Sequence, residues 1–124
     1  MKVRLENILD AQVALSELAK KDLSITTAYK IAKLIKVVSA EVELFNEQRI
    51  KLLQSVGSTL SEDGRQYLIP NDKKAEFAEG FAQLVSIEVD VPDKINLSGE
   101  TVSISPEMLI ALEPFMTIDD GTEV

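Results

Sequence analysis

The 124-residue sequence holds no cysteine, no histidine and no tryptophan, and it has only five glycines and four prolines. Without cysteine there is no disulfide framework, no thiol nucleophile and no thiolate metal site, which fits a reducing compartment and makes the cytoplasm the expected location. Without histidine as well, a general base poised near neutral pH, a His-assisted nucleophile and most zinc sites would all have to be built from carboxylates, lysines or hydroxyls. Neither catalytic activity nor a metal or other cofactor is therefore expected. The glycines stand singly, in neither a GxGxxG nor a GxxxxGK pattern, so no phosphate-cradling loop is present. Four Phe and two Tyr are too few for a base-stacking surface, which disfavours nucleic-acid binding. No apolar run approaches the ~20 residues of a membrane span, and the opening MKVRLENILD meets acidic residues before any apolar stretch, so neither a transmembrane helix nor a signal peptide is expected.

What is present reads as one soluble domain over residues 1–124, long enough for a single core and too short for two. The net charge of −8 is unevenly placed. Residues 1–56 carry nine Lys/Arg against seven Asp/Glu, whereas residues 57–124 carry four against fourteen. An acidic second half repels nucleic acid and suits either solubility or docking on a basic partner.

Periodicity places the elements. Val3 and Leu5 alternate with charges in KVRL, a short strand leading to Asn7 as a plausible helix cap. Ile8, Ala11, Leu15 and Leu18 share one face of a first helix that closes near residue 21. A second, long helix over 28–56 follows, capped by Ser24, Thr26 or Thr27 and ended by Gly57. Its seam runs Ala28, Ile31, Ile35, Val38, Val42, Phe45, Arg49, Leu52 and Val56 in strict 3-4 spacing. STLSEDGRQYLIP reads as a hairpin turning at Asp63-Gly64, and a third helix carries Phe77, Phe81, Leu84 and Val85, with Gly80 a costly residue in its interior. SIEVDV, KINL and TVSI read as strands, the last two about a Ser98-Gly99 turn. Ser105 caps a last short helix, Pro114 ends it, and residues 117–124 read as a frayed tail. The expected fold is α+β: a helical hairpin (1–57) with a long central helix, then a hairpin, a third helix and a small antiparallel sheet from the C-terminal half (58–116).

Few residues suggest chemistry. Glu41, Glu43 and Glu47 on the long helix, and Asp90 with Asp93, are carboxylate clusters whose spacing favours a solvated face over a metal or acid/base pair. Lys30, Lys33 and Lys36, with Lys20 and Lys21 nearby, form a cationic face that with Arg49 and Arg65 could contact phosphates. Leu34, Val37, Leu44 and Leu53 fall off the main seam as a second apolar stripe, which suggests a homodimer through the long helix. Arg49 occupies a core slot. Its stem could cover the seam while the guanidinium reaches water, Glu47 or Glu41; the sharper alternative is a structural ion pair or partner contact.

AYKIAKLIK, the spacing of Glu41, Phe45, Arg49 and Leu52 before Gly57, the EDG turn, IEVDV and SISPEMLIALEPFM occur in an order along the chain that resembles a family. It comprises short uncharacterised proteins encoded by tailed bacteriophages and prophages, mainly of Gram-positive hosts. Val56 departs from the tyrosine common at its position in such proteins. The resemblance implies phage origin, supplies no activity, and shifts the reading of Arg49 towards an ion pair. The expected function is a non-enzymatic interaction protein acting in virion assembly or by inhibiting a host factor. The alternative is a small-ligand binder, for example of a signalling nucleotide.

Overall fold

A computed structural model of the chain describes residues 1–117. Strand β1 (Lys2–Arg4) runs straight into helix α1 (Leu5–Leu18), which is followed after a six-residue turn by helix α2 (Ile25–Ser55). Strands β2 (Thr59–Leu60) and β3 (Tyr67–Leu68) form a hairpin; a 3-10 turn at Asn71–Lys73 then leads into α3 (Lys74–Val85). Strands β4 (Glu88–Asp90) and β5 (Ile95–Asn96), helix α4 (Pro106–Leu112) and strand β6 (Met116–Thr117) complete the described residues. The α+β class, the helical hairpin and the long central helix are as the sequence suggested. At 1.5 Å per residue the 31 residues of α2 extend about 46 Å.

The strands assemble differently from expectation. Among the described residues there is no single C-terminal sheet but three two-stranded ladders, β1-β4 and β2-β3 antiparallel and β5-β6 parallel. In the first, Val3 faces Val89 and both are buried, while Lys2 faces Asp90 and Arg4 faces Glu88 on the outer side. The buried valine pair sets the register, and opposite charges directly across the ladder favour the same one. TVSI forms no strand: Val102 and Ile104 are half-buried in extended chain. Strand β5 instead pairs with β6 after the chain crosses through α4, the kind of long connection that parallel pairing requires. Thr117, expected in the frayed tail, lies in β6 opposite Asn96; residues 118–124, the rest of that tail, lie outside the described residues.

Helix starts also differ in detail. Asn7 is not the cap of α1 but its third residue, and its Oδ1 accepts from the Arg4 amide at 3.1 Å. Ser105 does cap α4, its Oγ accepting from the Met108 amide at 3.3 Å with Pro106 at the first helical position. The β2-β3 loop spans Ser61 to Gln66 rather than two residues, and Gly64 alone takes positive φ, at 70°.

The core joins one face of α1 (Leu5, Ile8, Ala11, Leu15, Leu18) to Ile31, Leu34, Val38 and Phe45 of α2 and to Val89, Val91, Ile95, Leu97, Leu112, Phe115 and Met116 of the second half. Helix α1 packs on both α2 and α4, and α3 packs on the later turns of α2. Phe45 meets Phe81 edge-on with centroids 6.0 Å apart, and Phe81 stacks on Phe77 at 5.9 Å. Gly80 explains itself here: a Cβ at that position would lie 2.7 Å from Leu52 Cδ1, so the missing side chain is what lets α3 approach α2.

Phe45 is thus buried and held by an aromatic neighbour. Phe45→Ala should lower unfolding free energy by about 3 to 5 kcal/mol in urea denaturation, from lost transfer and packing energy together. An unchanged midpoint would mean that Phe45 is not part of the folded core.

Candidate interaction surfaces

The side chains singled out from sequence distribute unevenly over this fold. Of the four residues assigned to an oligomer stripe, Leu34 and Leu53 are buried in the chain itself, Val37 is half-buried against the core, and Leu44 alone is exposed, at 50%. The stripe does not exist as a surface. At 100° per residue Leu34 and Leu53 lie within about 60° of the seam axis, and α2 is covered from several directions, by α1, α3 and β5, so its buried arc is wider than a 3-4 seam.

Arg49 is half-buried and forms no ion pair among the described residues. The side-chain pairs that do form join Arg4 to Glu6, Lys20 to Glu17 and Lys73 to Glu76, at 3.6, 3.3 and 3.2 Å. Glu41 sits two turns before Arg49, about 12 Å along the helix axis, and α3 meets this stretch of α2 with Phe81 against Phe45 and Gly80 against Leu52. Among the described residues the expected Arg49–Glu41 ion pair is not formed; the half-buried arginine stands on the seam one turn from Phe45 and from Leu52, a position in which a stem can cover apolar surface while its head reaches water.

Lys30, Lys33 and Lys36 are exposed on the first half of α2, with Lys33 Nζ 5.5 Å above the Tyr29 ring. Arg65 is exposed in the loop of the β2-β3 hairpin, whose strands contact chiefly each other, beyond the far end of α2. About 28 Å of helix separates Lys36 from Ser55, so these four cations do not gather round one phosphate. In the same loop Asp63 Oδ1 accepts from the Ser61 hydroxyl and from the Arg65 amide. These donors, the hydroxyl first, hold the Asp63 carboxyl below its ordinary pKa. Its contribution to loop order is in place above the usual carboxylate range and is lost as pH falls through the lowered value.

Glu43 and Glu47 stand exposed on α2, and among the described residues no three His, Cys, Asp or Glu side chains converge as a metal site would need. Among the described residues no helix is long and apolar enough to cross a membrane. Between α1 and α2 lies an open cleft of about 340 Å³ with an apolar floor of Leu15, Ile35, Val38 and Val42 and a polar rim that includes Gln12, Glu43 and Asn46.

Two further surfaces were not legible in the sequence. On the outer face of the first turns of α2, Ile25 and Tyr29 are 86% and 65% exposed, one turn apart and beside Lys33 and Lys36. On α4, Ile110 is 72% exposed between Glu107 and Glu113, its neighbours at i−3 and i+3. Leu109, Ile110, Leu112, Glu113 and Met116 line a shallow, largely apolar cleft of about 290 Å³ beside it. A long-range contact also went unseen: the Ser24 amide donates to Glu100 Oε1 at 2.6 Å, setting a carboxylate at the start of α2 where the helix dipole favours it.

No protein-family model, curated protein or solved structure matches this chain.

Because Arg49 has no ionic partner among the described residues, Arg49→Met should change unfolding free energy by less than about 0.5 kcal/mol. A loss of several kcal/mol would instead reveal a buried charge pair, since breaking one leaves its partner uncompensated.

Proposed function

We propose that this chain is a non-enzymatic interaction protein of phage or prophage origin. It acts in the cytoplasm of an infected or lysogenic bacterium, either in virion assembly or by binding and inhibiting a host factor. The observation that carries the interaction reading is Ile110, a large aliphatic side chain left 72% exposed between two glutamates and beside an apolar cleft. A β-branched apolar residue gains nothing from that position in an isolated monomer, whereas a partner with an apolar anchor and a basic rim would bury it and pair the carboxylates. The fourteen acidic residues of the second half extend the same preference for a basic partner. Phage origin rests on the order of sequence motifs alone.

The small-ligand reading has less support, because the cations it would use, Lys30, Lys33, Lys36 and Arg65, are spread along and beyond α2. Thermal-shift screening with nucleotides separates the two readings, since a specific ligand raises stability in proportion to the logarithm of its concentration over Kd.

The interaction reading is tested by affinity capture from infected cells with tagged wild type, Ile110→Arg and, as a matched control, Val13→Arg on the exposed side of α1. Wild type and Val13→Arg should retain the same stoichiometric partner and Ile110→Arg should lose it. A wild-type protein that stays alone, or a partner that Ile110→Arg keeps, would overturn the proposal.

A further inference from the structure

The two exposed surfaces are complementary to each other. One offers an aromatic and an aliphatic side chain, Tyr29 and Ile25, with Lys33 and Lys36 on the same outward arc of α2. The other offers an apolar cleft at α4 with Glu107 and Glu113 on either side of Ile110. At about 290 Å³ the cleft lies at or below the small end of metabolite pockets, which run from about 300 to 1,000 Å³, and is sized for one or two side chains of a partner. Tyrosine is among the residue types enriched as such anchors, being large, rigid and amphipathic. Lys33 already sits over the Tyr29 ring, which steadies the ring and sets a cation beside whatever the ring enters.

We propose that the chain self-associates by seating Tyr29 of one copy in the α4 cleft of another, with Lys33 and Lys36 facing Glu107 and Glu113 across the contact. This contact takes the same α4 surface that the proposed partner would use, so the two exclude each other, and self-association is read on the purified chain with no phage or host partner present. It uses the outer face of α2 at its first turns, not the Leu34, Val37, Leu44 and Leu53 stripe, of which two members are buried. Two copies each at net charge −8 repel at long range, so the contact depends on local pairing that survives where salt has screened the overall field, about 8 Å from each charge at physiological ionic strength. With few apolar anchors on each side, the contact belongs to the weak class of interfaces.

Sedimentation equilibrium at physiological salt tests this, with the full chain and two charge-reversed variants. At about 0.5 mM chain, a Kd near that concentration raises the weight-average mass to about 1.5 times one chain. Tyr29→Ala should remain at the mass of a single chain. Lys33→Glu/Lys36→Glu makes both surfaces acidic, and Glu107→Lys/Glu113→Lys makes both basic, so each variant alone should stay monomeric. Mixed in equal amounts, they present one acidic α2 surface to a basic α4 surface and should associate at least as well as wild type. Circular dichroism and melting of each variant confirm folding, and restoration on mixing cannot arise from misfolded chains. A wild type that stays at one chain mass, a Tyr29→Ala variant that associates unchanged, or variants that remain single when mixed would overturn the proposal.

Discussion

The structure is organised by one constraint: a 31-residue helix of about 46 Å must be covered by a chain of 124 residues that has nothing else of comparable length. Helix α1 is 14 residues and α3 is 12, so neither can span it. Coverage is piecewise. Helix α1 and β5 pack on α2 together with the N-terminal part of the core, while α3 takes the later turns through Phe81 on Phe45 and the close approach at Gly80. The apolar residues at the junctions, Ile35 and Val42, floor an open cleft and are half-buried. A side chain such as Arg49 is tolerated in that setting because its stem can cover apolar surface while its head remains hydrated.

The rest of the chain serves the helical frame. The β1-β4 ladder brings the N-terminus and the second half together, with a buried Val3–Val89 pair and oppositely charged residues across its outer face. Glu100 reaches back to the Ser24 amide, tying the loop before α4 to the first turn of α2 across 76 residues of sequence. Packing of α4 against α1, together with these long-range contacts, sets where α4 lies and so which of its residues remain outside. Leu112 and Met116 turn inward, leaving Leu109 and Ile110 outside.

Charge separation acquires spatial meaning at this level. The sequence shows a mildly basic first half and an acidic second half, but solubility alone would account for that pattern. Exposed aliphatic and aromatic side chains set among the charges, Ile25 and Tyr29 among lysines and Ile110 between glutamates beside an apolar cleft, are the features on which the proposed association rests. They make protein association the reading with the most support.

The sequence by itself determined the helices, because a 3.6-residue period and a capping serine followed by proline are local signals that a fold of this size rarely overrides. It also determined that Phe45 and Val38 face inward and that no thiol or imidazole chemistry is possible, since these follow from residue type and spacing. Tertiary structure alone decided the strand partners, because two- and three-residue strands carry too little pattern to choose among edges, and β1 found β4 while β5 found β6. It likewise decided that Leu34 and Leu53 are core. A periodic seam gives the centre of a buried arc, but its width depends on how many neighbours surround the helix, and those arrive from distant parts of the chain.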